Sequence, residues 1–119
     1  MAIQPEERLQ YAVAEYLGWV SRGKAWRWFH IPNGGRMSRV RGARLKRMGV
    51  KAGVPDLIIQ RSSRKARHSD IQIELKVKGN YQSAEQKAWE RESKRLGIPY
   101  YVSRSVDEVR EVLTRLELV

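Results

Sequence analysis

The chain contains no cysteine, and no stretch of it approaches the length of an apolar membrane span. The absence of cysteine excludes a disulfide scaffold, a thiolate zinc site and a cysteine nucleophile, and it is typical of a reducing compartment. The first ten residues also lack the basic start and apolar run of a signal peptide. We therefore expect a cytoplasmic protein that does not span a membrane.

Acidic residues are scarce relative to basic ones. The 119 residues include 24 Lys and Arg against 13 Asp and Glu, which leaves a formal net charge of +11. A field of that sign attracts polyanions, and the commonest cytoplasmic polyanion is nucleic acid. A membrane surface would require a basic amphipathic helix, whereas most basic segments here resemble loops. We expect a nucleic-acid partner, and neither a membrane nor a small-molecule substrate.

The chain is short, but its apolar content is that of a folded protein. Hydrophobic residues make up 41%, and 10 residues are Trp, Tyr or Phe, which is too many for a disordered basic tail. A chain of this length fits one domain with a single core. We expect one domain over residues 1–119.

The pattern of apolar residues predicts three helices and four strands. A helix begins at Pro5 and stops at Gly18, a second follows the capping pair Ser83 and Gln86, and a third follows Ser105. The basic connector after the first strand has room for a short helix ending at Gly49. Strand patterns cover residues 24–31, 54–60, 70–77 and 98–103.

The order of these elements predicts an α/β fold with a mixed sheet. A short polar turn joins the second and third strands, so they should form an antiparallel hairpin. A helix connects the third strand to the fourth, which favours parallel pairing with a right-handed crossover.

Two carboxylates and a lysine are predicted to meet on the central hairpin. Asp56 stands at the head of a buried strand, and Glu74 and Lys76 project from the same face of the neighbouring strand. Such a group is costly unless a cation joins it, and Mg²⁺ prefers oxygen ligands of this kind. The alternatives are a solvated polar face for Glu74 and Lys76, and a plain turn residue for Asp56.

This combination resembles the VRR-NUC branch of the PD-(D/E)XK nuclease superfamily, a group of virus-type replication and repair nucleases. The resemblance covers nearly the whole chain and rests on an ordered set of motifs: Glu15, Gly53-x-Pro55-Asp56, Glu74-Leu75-Lys76 and Gln86. It implies a restriction-endonuclease-like mixed central sheet flanked by helices, and cleavage of DNA phosphodiesters that depends on Mg²⁺, with Mn²⁺ as a substitute. It also implies an intracellular enzyme of phage or bacterial type, acting as a homodimer on branched DNA such as four-way junctions.

The resemblance assigns a role to each matched residue. Asp56 and Glu74 would be metal ligands together with the backbone carbonyl of Leu75. Lys76 would orient or deprotonate the attacking water. Glu15 would reach a ligand or its water, the alternative being a plain exposed charge. Gln86 would lie beside the site, the alternative being a helix cap.

The segment from His30 to Asn33 also resembles a family loop beside the cleft. A histidine that alternates with Trp26 and Trp28 is more often a packed core residue than a general acid.

Two basic segments before and after the Asp56 strand are candidates for phosphate contacts, which give affinity without reading sequence. The predicted DNA-binding residues are Arg36, Arg39, Arg41, Arg44, Lys46, Arg47, Lys51, Arg64 and Lys65. The alternative for such charge runs is a solvated surface.

Three functional classes fit these features. A metal-dependent, structure-selective endonuclease is the leading prediction. The alternatives are a non-catalytic nucleic-acid-binding protein on a nuclease fold and a site-specific restriction-type enzyme. In a homodimer, Trp19 and Tyr81 are candidates for apolar contacts between subunits, although core packing is the ordinary fate of each.

Overall fold

The computed structural model describes residues 2–32, 39–62 and 70–119, and the elements follow the predicted order with a helix in the basic connector. The elements are α1 (Pro5–Val20), β1 (Trp26–His30), α2 (Arg39–Arg47), β2 (Leu57–Arg61), β3 (Asp70–Leu75), α3 (Ala84–Arg95), β4 (Tyr100–Ser103) and α4 (Val106–Arg115).

The four strands form one mixed sheet in the order β1-β2-β3-β4. The pairs β1–β2 and β2–β3 are antiparallel, and β3–β4 is parallel. This confirms the predicted hairpin, the predicted parallel placement of the last strand and the α/β fold class.

One face of the sheet packs against α1 and α4. Alternate side chains of the central strands point to this face, as the period of two requires. Helix α1 contributes Val13 and Leu17 to the same core, and α4 contributes Val109 and Leu113. The fully buried strand residues of this core are Leu57, Ile59, Ile71 and Ile73.

The other face of β3 is also buried, although its side chains are polar. Gln72 accepts a hydrogen bond from Nε1 of Trp89 (2.6 Å) and donates one to Oγ of Ser93 (2.9 Å), both on α3. Every residue of β3 after Asp70 is buried. The alternative of a solvated polar face is therefore wrong for Glu74, because α3 covers it, and the Lys76 side chain is also mostly buried.

Two helices begin at the capping residues that the sequence predicts, whereas a third helix continues past its predicted end. Ser83 and Gln86 form the predicted capping box, and Ser105 caps α4 through the backbone N–H of Glu108. The predicted stop at Gly18 is wrong, because α1 continues to Val20. A single glycine lowers helix stability by only about 1 kcal/mol, and the packed face of α1 offsets that cost.

One end of the sheet collects the residues that matter for chemistry, and we call it the site end. Strands β1, β3 and β4 run in one direction and β2 in the other, so the last residues of three strands meet the first residue of β2 there. His30, Leu57, Leu75 and Ser103 are the strand residues at this end. No helix in the described ranges is long and apolar enough to cross a membrane.

Candidate active site

Asp56 and Glu74 face each other across β2 and β3 at the site end. Leu57 pairs with Ile73, so the next pair outward in an antiparallel ladder is Asp56 with Glu74. The backbone N–H of Leu75 donates to Oδ2 of Asp56 at 2.7 Å. The convergence predicted from the sequence is present in the structure.

Glu74 is only 2% exposed. Its Oε1 accepts a hydrogen bond from Nε2 of Gln86 at 2.9 Å. Its Oε2 is buried and has no hydrogen-bond partner in the described part of the chain. Burial, together with the neighbouring Asp56 carboxylate, raises the pKa of Glu74 to about 9, and Lys76 opposes this shift.

The pair of carboxylates therefore needs a third group between them. Two carboxylates accept hydrogen bonds and repel each other, so only a proton or a cation stabilises both at close range. Without a metal, Glu74 retains its proton at neutral pH, as its pKa of about 9 requires. A divalent cation would take the place of that proton.

The donors present fit Mg²⁺. No group of three His, Cys, Asp or Glu side chains gathers around one point in residues 2–32, 39–62 and 70–119. Mg²⁺ does not require such a cage, since it is commonly held by one or two carboxylates, waters and substrate phosphate. Asp56 and Glu74 provide the carboxylates, and the backbone carbonyl of Leu75 remains a predicted ligand between them and Lys76.

Lys76 lies beside the carboxylates and is paired with a residue that the sequence analysis did not select. Its Nζ is 3.8 Å from Oε1 of Glu6, near the start of α1. The same oxygen accepts a hydrogen bond from Nδ2 of Asn80 at 3.3 Å. The Lys76 side chain is mostly buried, so this partner limits its motion.

The structure places Glu6, and not Glu15, beside the site. The two residues are nine positions apart on α1, which is about 13 Å along the axis and half a turn around it. Glu6 is seven residues before Val13 and therefore shares its inward face, whereas Glu15 is exposed on the opposite face. Helical periodicity was the signal that favoured Glu6.

Gln86 fulfils both roles that the sequence left open. Its Oε1 accepts from the backbone N–H of Ser83 (2.8 Å), which completes the cap of α3. Its Nε2 donates to Glu74. The capping box therefore fixes the side chain that orients the buried carboxylate.

Gly53 brings the Asp56 loop against the same helix turn. It has a φ of +83°, and a Cβ at this position would overlap the carbonyl oxygen of Glu85 and lie 2.9 Å from the backbone nitrogen of Gln86. Only glycine adopts this conformation without strain and permits so close an approach. The loop before Asp56 and the start of α3 are thus packed backbone to backbone.

His30 is exposed, so the expected packing in the core is wrong for this residue. Its Nδ1 is 2.8 Å from the backbone carbonyl of Asp56, which also accepts from the N–H of Ile31. A carbonyl only accepts, so the geometry assigns a hydrogen to Nδ1. His30 thereby ties the end of β1 to the residue that carries the carboxylate.

Tyr100 is a second neighbour of the site that sequence reasoning missed. Burial raises the pKa of the Tyr100 hydroxyl well above its usual range, and the nearby charges of Glu74 and Asp56 raise it further. Its oxygen accepts a hydrogen bond from Nε2 of Gln82 at 3.2 Å. In the sequence, this tyrosine has only the pattern of a strand residue.

The first basic segment, residues 36–51, belongs to the connection between β1 and β2, and both ends of this connection lie at the site end. It departs after His30 and returns at Asp56, and Ile31 and Asp56 are hydrogen bonded. Within it, α2 carries basic residues and no acidic one. Among the predicted DNA-binding residues of this segment, the structure describes Arg41, Arg44, Lys46, Arg47 and Lys51, together with the backbone of Arg39. Arg36 lies outside the described ranges.

Arg64 and Lys65 of the second basic segment lie outside the described residues. The strand residues that flank this segment, Arg61 and Asp70, lie at the opposite end of the sheet from Asp56. Antiparallel pairing of β2 with β3 puts the last residue of β2 and the first residue of β3 at the same end.

The fold is that of a nuclease domain, as a comparison with solved structures shows. A solved structure described as a VRR_NUC domain protein is similar to this chain, with 28% sequence identity and a TM-score of 0.69, over 99% of this chain and 93% of the other. No protein-family model and no curated protein matches the chain. The structural match confirms the resemblance to the VRR-NUC family that the motifs indicated, and it confirms the fold class.

Proposed function

We propose that residues 1–119 form a single divalent-metal-dependent, structure-selective DNA endonuclease domain that acts on branched DNA. The observation that carries the proposal is Oε2 of Glu74, a buried acceptor without a partner in the described chain and opposite Asp56. Without a metal, the proton that Glu74 retains lies between the two carboxyl groups, and loss of that proton leaves two repelling carboxylates that only a cation would stabilise. A carboxyl group with a pKa raised by burial and a second carboxylate is characteristic of a functional site.

Asp56, Glu74 and the Leu75 carbonyl would hold Mg²⁺ or Mn²⁺. When bound, the metal lowers the pKa of a coordinated water and neutralises charge on the phosphate. In the reaction, water adds to phosphorus, one bridging P–O bond breaks, and the leaving oxygen ends with a proton. Lys76 supplies a positive charge, or accepts the proton of the attacking water, where the phosphorane becomes more negative.

Three residues keep these groups in place. Gln86 holds one oxygen of Glu74, so the other oxygen remains directed towards Asp56. Glu6 restrains the ammonium of Lys76. A site whose groups are positioned before the substrate arrives avoids the cost of reorganisation during the reaction.

The basic residues of the first segment supply contacts to DNA. Helix α2 lies in a connection whose two ends are hydrogen bonded to each other at Ile31 and Asp56, so its positive charge is tethered to the site end of the sheet. Contacts of Lys and Arg to phosphate position a duplex and read shape rather than sequence. This arrangement supports selection of DNA by structure over a site-specific restriction activity.

A non-catalytic DNA-binding protein is a weaker explanation. Such a protein would bind phosphate more tightly without the carboxylates of Asp56 and Glu74, which repel DNA. The buried carboxyl group of Glu74 opposite Asp56 would lower the stability of such a protein at neutral pH and serve no purpose.

The proposal includes a homodimer. Trp19 is 65% exposed on α1, and the guanidinium of Arg22 lies 4.6 Å from the centre of its ring. Large exposed aromatic residues are enriched at protein interfaces. A two-fold dimer would present two sites to the two strands of a four-way junction. Light scattering of wild type and Trp19→Ala tests this, with a change from dimer to monomer expected.

One gel assay tests the catalytic proposal. Supercoiled, linear and four-way-junction DNA are incubated with the protein in Mg²⁺, in Mn²⁺ and in EDTA. We expect cleavage in both metals and none in EDTA, with the junction cut fastest. Equal rates on linear and junction DNA would contradict structure selectivity, and cleavage in EDTA would contradict the role of the metal.

A further inference from the structure

We propose that Tyr81 is a stacking platform for an unpaired base next to the scissile phosphate, an inference that rests on the proposed nuclease function and specifies its substrate. Tyr81 is 79% exposed, the largest exposed fraction of any aromatic residue in the described chain. It lies between β3 and α3, five residues after Lys76. Its ring is exposed and makes no contribution to the core.

The segment that carries Tyr81 is held firmly on one side. Nη1 of Arg104 donates to the carbonyl oxygens of Val77 (2.9 Å) and Asn80 (2.7 Å), and the backbone N–H of Asn80 donates to the Val77 carbonyl (3.1 Å). The Asn80 side chain donates to Glu6, the partner of Lys76. The residue before Tyr81 is therefore bonded to the same oxygen atom as the lysine of the site.

The segment is held on the other side as well. Nε2 of Gln82 donates to the hydroxyl of Tyr100, the buried tyrosine near Glu74. Ser83, the next residue, caps α3. Both neighbours of Tyr81 thus contact residues of the candidate site, while the tyrosine itself projects into solvent.

The chemistry of this arrangement points to a nucleobase. A rigid aromatic ring loses little conformational entropy on stacking, and every base offers a π face, so the contact does not depend on sequence. The exposed Lys78 in the same turn adds a positive charge for the backbone of the strand. A base inside a duplex is already stacked on both faces, so only an unpaired base gains from this ring. Such bases occur in bulges, in flaps and at branch points where the adjacent pairs are open.

A second copy of the chain is a poorer occupant for Tyr81. A subunit seated on this residue would obstruct the approach of a phosphodiester to Lys76, because the segment is bonded to the partner of that lysine. Trp19 differs in this respect, since it lies near the far end of α1 from Glu6.

The test compares affinity for DNA with and without an unpaired base. Two duplexes that differ by one bulged 2-aminopurine are titrated in EDTA, where no cleavage occurs, and the ratio of the two affinities is measured by anisotropy. Wild type should prefer the bulged duplex by about 5- to 150-fold, the range that base–aromatic stacking spans, and should quench the fluorescence of the 2-aminopurine. Tyr81→Phe should retain both effects, and Tyr81→Ala should reduce the ratio to about one.

Tyr11→Ala is the matched control. Tyr11 is also an exposed tyrosine (55%), on α1, but it is about 140° around the helix from Glu6. This variant should keep the wild-type ratio. The inference is wrong if wild type binds the bulged and the fully paired duplex equally well. It is also wrong if Tyr81→Ala prefers the bulged duplex as strongly as wild type does. A change from dimer to monomer in Tyr81→Ala, with the ratio unchanged, also overturns it and assigns the residue to a contact between copies.

The result separates this inference from the catalytic proposal, because the titration contains no metal. In one outcome, Tyr81→Ala loses the preference for the bulged duplex while wild type cleaves no DNA in Mg²⁺. That result would support base stacking on Tyr81 and contradict the proposed nuclease activity. Cleavage in Mg²⁺ with no effect of Tyr81→Ala on the ratio would support the nuclease and contradict the platform.

Discussion

Replacing Glu74 by glutamine should stabilise the metal-free protein while it abolishes cleavage. Gln has the shape of a protonated glutamic acid, so its oxygen can still accept from Gln86 while its amide nitrogen donates to Asp56. The substitution removes the carboxylate that has no partner in the described chain.

The magnitude follows from the pKa of Glu74, which rises from 4.5 to about 9 on folding. Because the folded state holds this proton more tightly, stability from this group is complete below pH 4.5 and falls by about 1.4 kcal/mol per pH unit as the pH rises towards 9. At pH 7 the loss is about 3 kcal/mol, which Glu74→Gln avoids. For a domain of this size, the melting temperature should rise by about 10 °C.

Thermal unfolding of wild type and Glu74→Gln in EDTA, at pH 4 and pH 7, measures this difference. The two proteins should be equally stable at pH 4 and differ at pH 7. The matched control is Glu15→Gln, whose carboxylate is exposed and should change little at either pH. Added Mg²⁺ should stabilise wild type and reduce the gap, since only the native ionised pair binds it. A Glu74→Gln variant that is less stable than wild type at pH 7 would show that the Glu74 carboxyl group does not destabilise the metal-free protein at that pH.

Three further changes test other parts of the site. Lys76→Met should lower the cleavage rate by about 10²- to 10⁴-fold in a single-turnover assay. Mn²⁺ binding should be retained, and a normal rate would exclude Lys76 from the reaction. Gly53→Ala should lower the free energy of unfolding in urea by about 1–3 kcal/mol because of its positive φ and backbone overlap. The control Gly18→Ala, in a helix with open space around it, should raise that free energy by about 0.5–1 kcal/mol, so equal effects would contradict the proposed packing. The double variant Arg44→Gln and Arg47→Gln should reduce the slope of log affinity against log salt by about 2 on every DNA, and an unchanged slope would remove α2 from the interface.

Local sequence signals predicted the parts of the site that depend on neighbouring residues. The pairing of Asp56 with Glu74 follows from a short hairpin, and the cap at Gln86 follows from Ser83 three residues earlier. The burial of Glu74 was not predictable in the same way, because it depends on α3 covering a polar face of β3. Alternation of apolar and polar residues predicts only a strand with one buried face and one solvent-exposed face.

The sequence did not predict the site residues that come from distant segments, and in one case it predicted the wrong residue. Glu6 reaches Lys76 only because α1 packs with its first turn at the site end, and a family motif directed attention to Glu15 instead. Tyr100 and Arg104 became visible only when β4 was placed beside β3. The helical periodicity of α1 was enough to place Glu6 on its inward face. No pattern in the sequence placed Tyr100 near the site.

Asp56 and Glu74 are proposed to form a metal-dependent centre that cleaves DNA. Single-turnover cleavage of a four-way junction by wild type and Asp56→Asn in Mg²⁺, with DNA binding measured in parallel, tests this proposal. Asp56→Asn should bind the junction at least as tightly as wild type, because a negative charge has been removed. It should cleave the junction at least about 100-fold more slowly. Cleavage by Asp56→Asn at the wild-type rate would exclude Asp56 from the catalytic centre.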